Sequence, residues 1–316
     1  MKIRSKKKIK SKSKLKKRLI RTLNICLIII FGGIFYSLGV TVYENVQVNA
    51  DIEAFKARAI QEISEEIEYI PGVYQQRVYH IVPRETSYEL SDTRSVFYSS
   101  EHKYLGQTGD IFLAPQSPFP QNPVFDKFMT YYFGGHTAFK SDHNTFYEAT
   151  GYSDSFSEII EAIKAPGNEP TDLTITANET STNYWLYPKF RTEASEEYPY
   201  YGTYYRNYFV GARVKNITNT QLEKVTAFGD AANDKYIYNY LFFLNMKYKY
   251  YCSDFVSRAY QSAIVAEDEQ RQYSTVLNDD GFITSVNDII LSDDTYITFY
   301  VEIIDDVVHI YHLEDI

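Results

Sequence analysis

The sequence predicts an α+β fold, an antiparallel sheet packed on helices, behind an N-terminal membrane segment. Three observations predict it. Residues 136–149 form two apolar-rich runs around a polar turn, the pattern of a hairpin. Helical spacing of apolar residues follows after Thr220 and again after Cys252. The tail from Ile297 to His312 is rich in β-branched and aromatic residues, as paired strands require.

The first 21 residues hold twelve Lys or Arg and no acid. From Thr22 to Tyr43 there is no charge, and Ile25 to Phe31 is strongly apolar. These 22 residues, at roughly 1.5 Å each, give about 33 Å, enough to cross a hydrocarbon layer of about 30 Å. The basic arm 1–21 is expected to stay cytoplasmic, with the chain after segment 22–43 outside. Val48-Asn49-Ala50 resembles a cleavage site, so the alternative is a signal peptide removed near Ala50.

Residues 44–70 read as a juxtamembrane helix. From Ala50 to Tyr69 the apolar positions Ile52, Phe55, Ala59, Ile60, Ile63 and Ile67 keep a period near 3.6, and Pro71-Gly72 stops the pattern. Residues 71–316 are then one domain. Gly109 to Leu113 reads as a short strand, and a Pro-rich loop runs from Pro115 to Pro123.

The hairpin pairs 136–140 with 144–149 about Ser141-Asp142-His143. A three-residue turn sets Lys140 opposite Asn144, Ala138 opposite Phe146 and His136 opposite Glu148, on one face. Residues 153–205 turn polar and read as an insertion or large loop. Tyr208 to Val214 is a strand. Thr220 and Glu223 have the spacing of a capping box, opening a helix with Leu222, Val225, Phe228, Ala231 and Ala232 on its apolar side. Cys252 opens the next helix, with inner face Phe255, Val256, Ala259 and Ala263.

Charge narrows the partners. After Tyr43 the chain has 20 basic residues against 41 acids. That balance argues against a polyanion binder, and the basic arm abuts a membrane, so no nucleic-acid partner is expected. Neither a phosphate loop nor a dinucleotide fingerprint is present, so no cofactor is expected. The six histidines show no ligand spacing with cysteine. His309 and His312, three apart in a strand, point to opposite faces. No metal is expected.

Of the two cysteines, Cys26 lies in the apolar segment and Cys252 does not. An unpaired thiol outside the membrane is a bridge to another chain or a reactive group. A helix N-terminus lowers a thiol's pKa, and its N–H groups can face an oxyanion. Ser253 or Asp254 could cap the other donors. His136 follows Gly134-Gly135, which permit close backbone approach. Glu148 could fix its tautomer, the part of a third triad member. The candidate catalytic set is Cys252, His136 and Glu148.

The strings Gly109-Asp110-Ile111-Phe112, Gly135-His136-Thr137-Ala138-Phe139, Tyr147-Glu148-Ala149 and Tyr251-Cys252-Ser253-Asp254-Phe255-Val256 together resemble a family. It is the circularly permuted branch of the NlpC-type papain-like cysteine hydrolases, the YiiX-like proteins, in which histidine precedes cysteine. Supporting matches are Thr220 to Glu223, Tyr236-Ile237-Tyr238 and Ser285 to Ile289. The resemblance spans roughly residues 104 to 300 and implies a permuted papain-like fold with Cys252 as nucleophile, His136 as base and Glu148 as orienter. Where unpermuted relatives carry Asp-Cys-Ser-Gly, this chain has Tyr-Cys-Ser-Asp, which bears on the shape of the cleft. The implied activity is hydrolysis of an amide in cell-wall peptidoglycan by a membrane-tethered extracytoplasmic enzyme. The alternatives are an acyl-lipid thioesterase or acyltransferase, since the branch is similar to lecithin:retinol acyltransferase, and a non-catalytic surface module with an inert Cys252.

Overall fold

A computed structural model describes residues 3–70, 72–117, 123–142, 145–151, 155–167, 177–180, 185–186, 207–233, 235–242, 246–278 and 283–314. Helix α1 (Ile3–Ala57) contains the uncharged segment 22–43. It is long and apolar enough to cross a membrane or to serve as a signal sequence, with a mean hydropathy of 2.4 over its most apolar window. Contacts divide the chain into Met1–Val46 and Gln47–Ile316.

In the second unit a nine-stranded sheet forms among the described residues, in the order β1-β2-β11-β10-β7-β3-β4-β5-β6. Its strands are β1 (Gln61–Ile70), β2 (Val73–Pro83), β3 (Ile111–Ala114), β4 (His136–Asp142), β5 (Thr145–Ala149), β6 (Ala177–Thr180), β7 (Tyr208–Val214), β10 (Thr295–Ile304) and β11 (Val307–Glu314). β8 (Ile237–Tyr238) and β9 (Lys249–Tyr250) form a separate parallel pair. The helices are α2 (Ser87–Ser91), α3 (Pro123–Tyr132), α4 (Phe156–Lys164), α5 (Asn219–Ala232), α6 (Cys252–Ile264) and α7 (Val286–Leu291). The architecture is therefore α+β, but the sheet is mixed rather than wholly antiparallel. The chain's last strand, β11, runs parallel to β2 while pairing antiparallel with β10.

The expected helix at 50–69 is only partly formed. α1 ends at Ala57, and 61–70 become an edge strand turning through Gly72, at φ +77°, into β2. Ile63 and Ile67 fit either period. Pairing with β2 decides, and Glu62, Glu65, Glu66 and Glu68 charge the open edge against further pairing. The α1 turn before it does enter the core, through Val48, Ile52 and Phe55.

The strand at Tyr208–Val214 and the antiparallel tail strands form as expected. The α5 cap is two residues earlier than expected: Thr218, extended at φ −92° and ψ 158°, makes the capping box with Gln221. Thr220 is already helical. Leu222, Val225, Gly229 and Ala232 are buried, and Ala231 faces out. The hairpin register differs by two residues: Lys140 lies opposite Phe146 and Phe139 opposite Tyr147, with a shift between Lys140 and Asp142. Asn144 lies outside the described residues. A two-residue shift preserves facing, so His136 and Glu148 still share a side, now as diagonal neighbours. Within the 153–205 stretch the described residues include α4 and β6, and α3 was not expected at all.

Two aromatic layers pack the sheet. On one face Phe112 gathers Phe146, Trp185, Phe209 and Phe299. On the other, Phe139 meets Tyr147 and Phe255 of α6, and Gly229 of α5 lets the Tyr147 ring approach its backbone. Beside the first layer, Arg213 of β7 is buried and forks onto both oxygens of Asp110, at 2.7 and 2.8 Å. Its other N–H groups reach Arg94 O and Ser95 O, tying the loop before β3 to the sheet. Removing Asp110 leaves the buried guanidinium only the longer pairing with Asp92, at 3.3 Å, and breaking a buried pair costs about 3–5 kcal/mol. Asp110→Ala should therefore lower unfolding stability by that order in chemical denaturation. Glu66→Ala, on the exposed edge strand, should change it by less than about 0.5 kcal/mol. Equal effects would contradict this account of the pair.

Candidate active site

Three distant segments converge at the start of β4. Gly135 lies so close to the β3 exit that a Cβ would stand 1.8 Å from Gln116 O, and its N–H donates to Ala114 O at 2.7 Å. Gly134, at φ +77°, lies against Val286 of α7. Both features need glycine, and together they fix the first residue of β4, His136.

The His136 ring is buried and its Nε2 donates to Glu148 Oε2 at 2.7 Å. Glu148 is fully buried on β5. A charge-assisted bond of this length holds the imidazole's orientation and tautomer. With Nε2 committed, Nδ1 is the nitrogen that serves the thiol.

Cys252 is the first residue of α6 and is half-buried. Burial pushes its thiol pKa up, but the hydrogen bond and charge of His136 and the backbone N–H groups of Thr137 and Ser253 outweigh burial. The net shift is downward, toward a thiolate. Phe139 on the α6 side and Trp185 beside His136 show that ring and helix belong to opposite faces of the sheet. They meet because the β4–β5 ladder ends at Phe139↔Tyr147, leaving 136–138 outside it. The Thr137 N–H turns to the sulfur instead of to β5. The helix start reaches the imidazole at this opening.

Neither Ser253 nor Asp254 caps α6, contrary to expectation. The N-cap is Tyr251, without a side-chain cap bond. Ser253 Oγ donates to Thr284 O at 2.7 Å, and Asp254 takes Arg258 Nε at 2.9 Å. Arg258 in turn holds Met246 O at 3.1 Å, pinning the loop before β9. Burial raises the Asp254 carboxyl to about 6 despite Arg258. Asp254 thus ties α6, through Arg258, to the loop before β9.

Two further residues, Tyr238 and Trp185, were not among the candidate catalytic residues. Tyr238 of β8 has its hydroxyl pKa raised well above normal, first by burial and then by the charges of Cys252, Tyr240 and Tyr251. Gly151 makes room for its ring, since a Cβ there would be 2.5 Å from Tyr238 Cζ. Trp185 is fully buried and lies nearly parallel to the His136 ring, centroids 5.9 Å apart at 13°. The signal for it was available: the chain's single tryptophan sits in its most polar stretch.

Lys140, buried on the same strand face, is lowered to about 7 by burial. Its Nζ is spent on Leu105 O and Gly106 O, so it braces a loop. His309 reaches His80 at 3.2 Å while the buried His312 packs on Phe97, on opposite faces as expected. Among the described residues no three His, Cys, Asp or Glu side chains gather as metal ligands would.

Compared with known proteins, the chain matches no family model, no curated protein and no solved structure.

The thiol's acidity is directly measurable, because only the thiolate reacts with iodoacetamide. Alkylation of Cys252 should reach half its maximal rate below the ordinary thiol value of about 8.5. His136→Ala leaves burial dominant and should move the midpoint above that value. Trp185→Ala should shift it less, with Trp185→Phe restoring it. An unchanged midpoint in His136→Ala would contradict the pairing.

Proposed function

We propose that this protein is a membrane-tethered cysteine hydrolase of the permuted NlpC-type, papain-like kind, working through an acyl-enzyme on Cys252. The observation that carries the reading is the convergence of a half-buried thiol with lowered pKa, an imidazole and a buried carboxylate 2.7 Å from that imidazole. The order of the parts, histidine before cysteine, supports the permuted branch. α1 supports the tether, with the basic arm cytoplasmic and the domain extracytoplasmic; cleavage near Ala50 is the alternative.

In the proposed reaction the Cys252 thiolate attacks a carbonyl carbon. The oxyanion takes hydrogen bonds from N–H groups at the α6 start, donors each worth about 10²–10³ in kcat at comparable sites. His136 passes its proton to the leaving amine as the C–N bond breaks, leaving a thioester. It then takes a proton from water, which attacks the thioester and frees the acid and the thiol. Glu148 holds the ring in place and stabilises the imidazolium. No cofactor or metal is assigned to any step.

The natural substrate for a surface enzyme is a peptide amide of cell-wall peptidoglycan. Mass spectrometry of wall fragments incubated with the protein tests this. Cys252→Ala should abolish cleavage, and His136→Ala should slow it about 10²–10⁴-fold. Glu148→Gln should cost less than His136→Ala. Full activity in Cys252→Ala would refute the assignment.

A second reading, acyl transfer from lipid, is favoured by one observation. The rings of Phe133, Phe242 and Tyr251 run in contact to the residue before Cys252, at 5.0 and 5.3 Å. A stable acyl group on Cys252 after incubation with phospholipid would select it.

A further inference from the structure

Helix α3 presents an exposed apolar stripe. Val124, Phe128 and Tyr131 are 82%, 47% and 41% exposed. Their spacing of four and then three residues places them on one side of a helix. Most exposed apolar residues on a soluble surface are scattered, whereas these are aligned. Phe156, the first residue of α4, is 75% exposed.

The stripe is continuous with the site. The Phe128 ring touches Phe133 at 5.9 Å, Phe133 touches Phe242 at 5.0 Å, and Phe242 touches Tyr251 at 5.3 Å and Tyr238 at 6.2 Å. α4 borders the same loop: Ala162 and Ile163 line a small gap with Tyr238, Asn239, Tyr240 and Leu241. α3, through the neighbouring Phe133, and α4 thus both border residues 238–242.

We infer that the α3 stripe is a lipid-docking surface that seats in the outer layer of a bilayer. The occupant follows from the chain itself. The apolar segment of α1 ends at Tyr43, and the second compact unit begins at Gln47, so almost no linker separates span from domain. A domain so tethered has a bilayer as its nearest apolar phase. Charge decides the kind of contact and does not supply the attraction. With 41 acids against 20 bases after Tyr43, the domain is repelled by anionic headgroups. Contact must therefore rest on apolar and aromatic side chains, which the stripe supplies. This inference uses α1 as a membrane span and does not depend on Cys252 being catalytic.

The test uses the full chain in phosphatidylcholine vesicles. Phe128→Trp places a reporter on the stripe, and the wild-type protein, whose Trp185 is buried, gives the baseline. Lipids brominated along the acyl chain should quench the added emission by at least half and leave the baseline nearly unchanged. Val124→Glu and Tyr131→Glu, added to Phe128→Trp, should abolish that quenching, and anionic lipid should weaken it. Iodoacetamide reactivity of Cys252 should be the same in all variants. That separates loss of docking from loss of the site or fold. The inference is overturned if the reporter's emission is quenched by aqueous iodide and not by bromolipid. It is equally overturned if the added tryptophan is shielded only at high protein concentration, which would make a second copy the occupant.

Discussion

The hydrogen bond between His136 and the buried Glu148 is the constraint on which the rest of the site depends. A carboxylate fully removed from water is costly unless it is paired. The imidazole is one partner the structure gives it. Satisfying Glu148 fixes the ring, and the fixed ring directs its other nitrogen toward Cys252. Burial alone would keep that thiol neutral; the imidazole and two backbone N–H groups reverse the sign. A requirement of burial thus becomes a chemical property of the sulfur.

The scaffold around this contact is specified by close approaches rather than by extra bonds. Gly134 and Gly135 bring β4 against β3 and α7, and Gly151 admits Tyr238. The broken ladder between β4 and β5 opens the stretch in which a helix on one face meets a ring on the other. Trp185 closes the opposite side of the imidazole and is itself packed on Phe112 and Phe209. Water is excluded from the His136–Glu148 bond from the core outward, which strengthens it. The Asp254–Arg258 pair does comparable work for the loop carrying the aromatic wall.

Much of this was legible in the sequence because it depends on local pattern. The thiol at a helix start, the strand at 208–214 and the tail hairpin each follow from spacing within a dozen residues. The facing of His136 and Glu148 was also legible, although the register was two residues out, because alternation survives an even shift. What failed depends on distant partners. Residues 61–70 carry an apolar spacing that fits a helix, and only pairing with β2 makes them a strand. The parallel β2–β11 contact joins the two ends of the domain, which no local pattern announces. Trp185 acts through its place against the His136 ring, which its neighbours in the chain do not announce.

The most direct measurement is a titration of the Cys252 thiolate by its ultraviolet absorbance, in a Cys26→Ser background, with and without Glu148→Ala. The carboxylate should hold the imidazole in place and so favour the thiolate at a distance. The inflection should then lie below the ordinary thiol range in the parent and rise when Glu148 is removed. The same inflection in both proteins, at the value of a free cysteine, would contradict the account.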